Sequence, residues 1–170
     1  MTTRRAVPPP NRVPWPPLLV LAAALVAVGL GAVLPGPDWL NEPVLIVLGR
    51  ALMLIGLGFD VAAMFTMWRH RANILPHRAA TALVTTGPFA WSRNPIYLGN
   101  TLLLAGAAFA FHNPWFVPAA IAAAFAVTRF AIVREEAHLA RLFGADWDNY
   151  RCRTARWFGR TRAALRRPIS

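Results

Sequence analysis

Leu18–Leu34 reads LLVLAAALVAVGLGAVL, an apolar run without a single charge. With Pro16-Pro17 ahead of it, the run is just long enough to cross bilayer hydrocarbon, which takes roughly 17–25 residues of helix. Pro35-Gly36-Pro37-Asp38 stops it, since proline and glycine together punctuate helices. Three further runs share its character: Pro43–Trp68, Pro95–Phe111 and Trp115–Val133. Trp68 falls where an interfacial aromatic is expected. His112-Asn113-Pro114 joins the last two runs so briefly that they must fold back on each other as a helical hairpin. The expectation is an all-α integral membrane protein with four transmembrane helices.

Charge orients those spans. The net charge is +11, and all 18 basic residues are Arg. Such a balance suits either phosphate binding on nucleic acid or a membrane protein with its Arg residues on the cytoplasmic side. Position separates the two. The N-terminal tail carries Arg4, Arg5 and Arg12, and the segment between spans two and three carries Arg69, Arg71, Arg78 and Arg93. Arg134, Arg141, Arg151, Arg153, Arg156, Arg160, Arg162, Arg166 and Arg167 follow span four. The other two connections hold none, and the first of them carries Asp38 and Glu42. This alternation puts both termini in the cytoplasm, predicts a multi-pass protein of bacterial inner-membrane type, and excludes nucleic acid as the partner in favour of the lipid bilayer. No signal peptide is expected, because no small-residue cleavage site ends the first run.

The chain divides into a Pro/Arg-rich polar tail (1–17), two N-terminal transmembrane helices (18–68), a core carrying the motifs (69–157) and an Arg-rich tail (158–170). From Arg134 onward Leu139, Leu142, Phe143 and Trp147 recur at helical spacing, which predicts a cytoplasmic C-terminal helix. Cys152 is the sole cysteine, and His70, His77, His112 and His138 form no HExxH-type pair, so no metal site is expected.

Two stretches at the cytoplasmic ends of spans three and four can carry chemistry. In the first, Thr85–Gly99 (TTGPFAWSRNPIYLG), Asn94-Pro95 is a good helix start: Asn caps exposed N–H groups and Pro suits the first turn. A helix N-terminus at the membrane surface attracts anions, and Gly87 and Gly99 allow close approach of a ligand or backbone. The plain alternative is a loop, a cap and an interfacial belt of Trp91 and Tyr97. In the second, Arg134–Gly144 (REEAHLARLFG), Glu135 and Glu136 point roughly 100° apart on a helix, so one faces a site at most and the other meets water. Arg50, Asp60 and Arg129 lie inside apolar runs, where charges face the bundle interior or snorkel; Asp60 and Arg129 are close enough to the cytoplasmic ends to pair.

Taken together, Gly-Pro-Phe, Ser-Arg-Asn-Pro-Ile-Tyr-Leu-Gly, an apolar hairpin and Glu-Glu-x-x-Leu-x-x-x-Phe-Gly resemble the isoprenylcysteine carboxyl methyltransferase family, relatives of the phospholipid methyltransferases. The resemblance covers about residues 74–157. It implies an S-adenosylmethionine site at the membrane boundary, formed by the loop before span three and the helix after span four. The matching cofactor positions are Thr81, Ala82, Leu83, Val84, Phe89, Asn94, Pro95, Ile96 and Tyr97, with Glu135 holding the cofactor's amino-acid end. Many members have His where Thr81 and Asn94 stand. A family Arg that binds the substrate carboxylate falls near Ala131, which leaves Arg129 as its nearest replacement.

The activity so implied is methyl transfer from S-adenosylmethionine to a lipophilic, membrane-delivered acceptor, a carboxylate of isoprenylcysteine type. Arg129 would orient the acceptor, and Tyr97 or Trp91 would face the sulfonium, which aromatic rings stabilise. The acceptor is expected to enter between spans three and four. A phospholipid or small-molecule N-, S- or O-methyltransferase is the nearest alternative. A membrane scaffold or transporter whose motifs only cap helices is the more distant one.

Overall fold

In the computed structural model, which describes residues 15–72 and 81–161, helices account for 75% of them. The order is α1 (Trp15–Val33), a 3-10 turn (Asp38–Asn41), α2 (Pro43–Arg69), a second 3-10 turn (Gly87–Ala90), α3 (Pro95–Ala110), α4 (Phe116–Val127), a π-helical turn (Thr128–Ile132), α5 (Val133–Phe143) and α6 (Ala145–Arg151). Among the described residues the one β feature is an isolated bridge, Thr154–Arg160. The expected tails lie mostly outside the described residues, as does His77. Where α1 is described it starts earlier than expected, at Trp15, because Pro16 and Pro17 occupy its first turn, where a missing N–H costs nothing.

Among the described residues three helices are long and apolar enough to span a membrane: α1, α2 and the continuous Phe116–Phe143. The last runs on past Val133, where the expected apolar span ends. The chain passes from α4 into α5 through the π-turn without interruption, and the stop comes at Gly144, whose φ of +48° suits glycine. The apolar helix α3 has 16 residues, about 24 Å at 1.5 Å per residue, which is shorter than a hydrocarbon core of about 30 Å. Large apolar side chains stand exposed along the outer faces, Leu25, Val47, Leu54 and Phe125 among them. A helix surface of this kind is stable against lipid, and the chain is an integral membrane protein.

Small residues set the packing. A side chain on Gly49 would collide with the backbone of Gly106 and Ala110, and one on Gly56 with that of Gly99 and Leu103. The two contacts lie seven residues apart on α2 and run in the opposite sense on α3, so the helices are antiparallel and nearly backbone to backbone. That is how helices associate where lipid removes the hydrophobic drive. Helices α3 and α4 close on each other through Ala107, Ala108, Ala119, Ala120 and Ala123, with Leu104 and Phe116, and Ala27 of α1 joins the same core. These contacts close the half of the hairpin next to its connection. Asn113 fastens α1 to it, its Nδ2 donating to the Ala27 carbonyl at 2.9 Å. Helix α1 leans on α4 and hardly touches α2.

Candidate functional site

Where α1 and α2 stay apart, the bundle encloses a cavity of about 600 Å³ at the end that carries both motif stretches. Its apolar side is built by Val20, Leu21 and Ala24 of α1 and by Met64 and Met67 of α2. Its polar side holds Arg93, Asn94, Tyr97, Asn100, Glu135, Glu136, His138 and Tyr150. Of the residues expected to hold a cofactor, Ala82, Leu83, Val84, Phe89, Asn94, Pro95, Ile96, Tyr97 and Glu135 all line this one cavity. Thr81 does not; it is exposed, and its hydroxyl donates to the Arg71 carbonyl at 3.0 Å.

The two adjacent glutamates separate sharply. Glu135 receives the Tyr97 hydroxyl at 2.8 Å and forms no ion pair among the described residues. Glu136 does not meet water as expected; its side chain is only 13% exposed. Arg156 grips it through Nη2 at 2.6 Å and Nε at 3.1 Å, and Arg93 Nη1 lies 3.4 Å away. The bonds to Glu136 hold the Arg156 guanidinium above its ordinary pKa. Burial pushes that of Arg93 down, with Glu136 opposing the shift. The two directions differ because Arg156 keeps more of its solvent.

Ser92-Arg93-Asn94 turns out to be a latch as much as a cap. Asn94 does precede α3, but its side chain makes no capping bond. Its Nδ2 instead donates to the Arg156 carbonyl at 3.1 Å, while the Arg93 amide donates to Ala155 at 3.0 Å and the Gly159 amide to Trp91 at 2.7 Å. The Arg93 guanidinium lies 5.6 Å from the Trp147 ring centre, and the Tyr150 hydroxyl donates to the Phe89 carbonyl at 2.7 Å. Burial raises the pKa of that phenol and keeps it a donor. The chain beyond α6 thus folds back and pins the loop that begins α3.

Other expectations come out differently. Trp91 faces out and stacks on Phe158 at 6.1 Å, away from the cavity. Arg129 is exposed on the π-turn and absent from the cavity wall, while Ala131, two residues on, is fully buried; the rotation of a helix separates the two faces. Asp60 does not pair with Arg129. Its Oδ1 is buried against Gly99 with no hydrogen-bond partner among the described residues. Sequence reasoning missed Arg93, Glu136, Arg156, Trp147 and Tyr150 as a unit, and it missed the walls from α1 and α2, which bear no motif. His138 was also missed; no pattern in the chain sets it apart.

A half-buried carboxylate with no ion pair among the described residues, a helix start without its side-chain cap and an apolar wall, gathered at one end of a membrane bundle, define a membrane protein with a built ligand site. A profile of the phospholipid methyltransferase family matches residues 44–146, more than half of the chain, and the chain belongs to that family. It is a family of membrane S-adenosylmethionine-dependent methyltransferases that includes the isoprenylcysteine carboxyl methyltransferases. The chain is also similar to a nickel-cobalt-cadmium resistance protein, NccN, of Alcaligenes xylosoxydans xylosoxydans, at 36% identity over 83 residues. That match takes in 49% of this chain and 38% of the relative.

Proposed function

We propose that this membrane methyltransferase binds S-adenosylmethionine in the boundary cavity and passes its methyl group to a lipophilic acceptor. The observation that carries the reading is Glu135, a half-buried carboxylate held by Tyr97 and paired with no cation among the described residues. The cofactor's ammonium group is the complement of such a carboxylate. Its carboxylate suits the first-turn N–H groups of α3, at Ile96 and Tyr97, and Arg93 Nε, a buried donor with no partner among the described residues. Leu83, Val84 and Phe89 offer an apolar and aromatic wall for adenine. When bound, the cofactor supplies a methyl group activated by a sulfonium. The protein's part is to position the acceptor and exclude water.

The acceptor's apolar part lies against Val20, Leu21, Met64 and Met67 and arrives from the bilayer between α1 and α2. An isoprenylcysteine carboxylate is one such acceptor, but Arg129 stands outside the cavity, and Arg93 is already shared between Glu136 and the cofactor's carboxylate. A phospholipid or other lipophilic amine or thiol fits the same apolar wall and needs no cation. The Arg distribution supports the four-span topology with α3 as the short span, both termini and the cavity being cytoplasmic in a bacterial-type inner membrane. Two experiments test the proposal. Calorimetry on detergent-purified protein should show S-adenosylmethionine binding, and labelled cofactor should methylate a component of a lipid extract. Reporter fusions after Ser170 and at Pro37 should read cytoplasmic and external respectively; a Ser170 reporter on the far side would refute the topology.

A further inference from the structure

His138 is 1% exposed and lines the cavity, and neither of its ring nitrogens has a hydrogen-bond partner among the described residues. A buried polar side chain ordinarily finds partners within the protein, and a neutral imidazole needs one acceptor and offers one lone pair. Leu or Phe would fill the same place at no polar cost. His138 sits three residues after Glu135, so both project from one face of α5. The cofactor's acid and an unpartnered base are thereby set side by side.

We propose that His138 takes the proton from an acceptor that carries one on its attacking atom, a lipophilic amine or thiol. The inference rests on the cofactor reading above. A lipid ammonium gives one proton to an imidazole nitrogen of His138, and the freed lone pair forms the N–C bond to the sulfonium methyl. The C–S bond breaks with its electron pair going to sulfur. The products are an N-methylammonium and the neutral thioether S-adenosylhomocysteine, and the imidazolium returns its proton to water. A thiol follows the same course and ends as an uncharged methyl thioether. A carboxylate has no proton to lose at neutral pH and would leave His138 without work. The ionisable groups that share the cavity are Glu135 and Glu136 on its own helix, Arg93 and Tyr97 across it, and Tyr150 from α6, with Arg141 one turn further along.

The test compares wild type with His138→Gln and His138→Phe, using phosphatidylethanolamine, decanethiol and a prenylated cysteine analogue in parallel. We expect wild type to methylate the amine or the thiol, and His138→Gln to lose about 100-fold or more in turnover at pH 7, with cofactor affinity and melting temperature unchanged. Thiol turnover by the variant should climb with pH as the unaided thiolate fraction grows, an alkanethiol ionising well above the roughly 8.5 of a cysteine thiol. Dodecylamine should bind wild type carrying S-adenosylhomocysteine about tenfold more tightly than His138→Phe carrying it. Transfer to the carboxylate alone, transfer to nothing by a protein that binds the cofactor, or a His138→Gln variant within threefold of wild type would each overturn the proposal. A wild type that binds no cofactor would sink the cofactor reading instead.

Discussion

The interior of the bundle and its motif-bearing end are held together by opposite means. Between α2 and α3 the contacts are Gly49, Gly56, Gly99 and Gly106, and the fit is steric. At the other end, Glu136, Arg93, Arg156, Asn94 and Tyr150 join segments some 60 residues apart through charge and hydrogen bonds. The steric part holds the helices at backbone distance; the polar part brings a loop and a C-terminal segment together around a cavity. Damage to the first should unfold the protein. Damage to the second should leave a folded bundle with a loosened site.

Glu136→Ala should have the largest effect on the polar end. Removing one partner of a mostly buried pair costs about 3–5 kcal/mol, less here because Arg156 remains partly solvated. Hydrogen exchange should rise across Arg153–Thr161 and Thr85–Asn94 while α2 and α3 stay protected. Equal loss of protection throughout would show that the two regions are not separable. Gly56→Leu makes the converse test. It forces the backbones of α2 and α3 apart, and overpacking of this kind costs about 1–3 kcal/mol or more, visible as a lower melting temperature in detergent. Gly58→Ala is its control, since nothing lies within 4 Å of the added carbon, and it should be neutral or slightly stabilising.

Tyr97→Phe should act more gently, at the seam between the two regions. It deletes the hydroxyl that orients Glu135, a hydrogen bond worth about 1.5–3 kcal/mol to a charged group at most; we expect cofactor affinity to fall several-fold with the fold intact. Arg129→Ala should do least. An exposed side chain outside the cavity wall leaves cofactor affinity within twofold, and a larger loss would place Arg129 at the site after all.

Much of this arrangement is legible in the chain. The apolar runs mark the helices to within a few residues, because lipid leaves the backbone no alternative. Asn94-Pro95 marks the start of α3, and the Tyr97 and Glu135 motifs lead to one cavity because each sits near a helix end. The continuity of α4 into α5 is not legible. A charged run reads as a break, while the backbone continues through a π-turn that has no sequence signature. The role of Glu136 is hidden for a related reason: helix periodicity tells that two acids diverge, but the cations that meet the second arrive from Arg93 and Arg156, far along the chain. The cavity's apolar side is invisible because Val20, Leu21, Met64 and Met67 look like any lipid-facing residues until α1 and α2 are seen to part.

The pair of glutamates offers the most direct test. S-adenosylmethionine affinity should be measured by calorimetry for wild type, Glu135→Gln and Glu135→Asp in the same detergent, with melting temperatures alongside. We expect Glu135→Gln to weaken binding by about 1.5–3 kcal/mol, roughly ten- to 150-fold, with melting unchanged and Glu135→Asp in between. A folded Glu135→Gln protein that binds the cofactor as tightly as wild type would contradict the account.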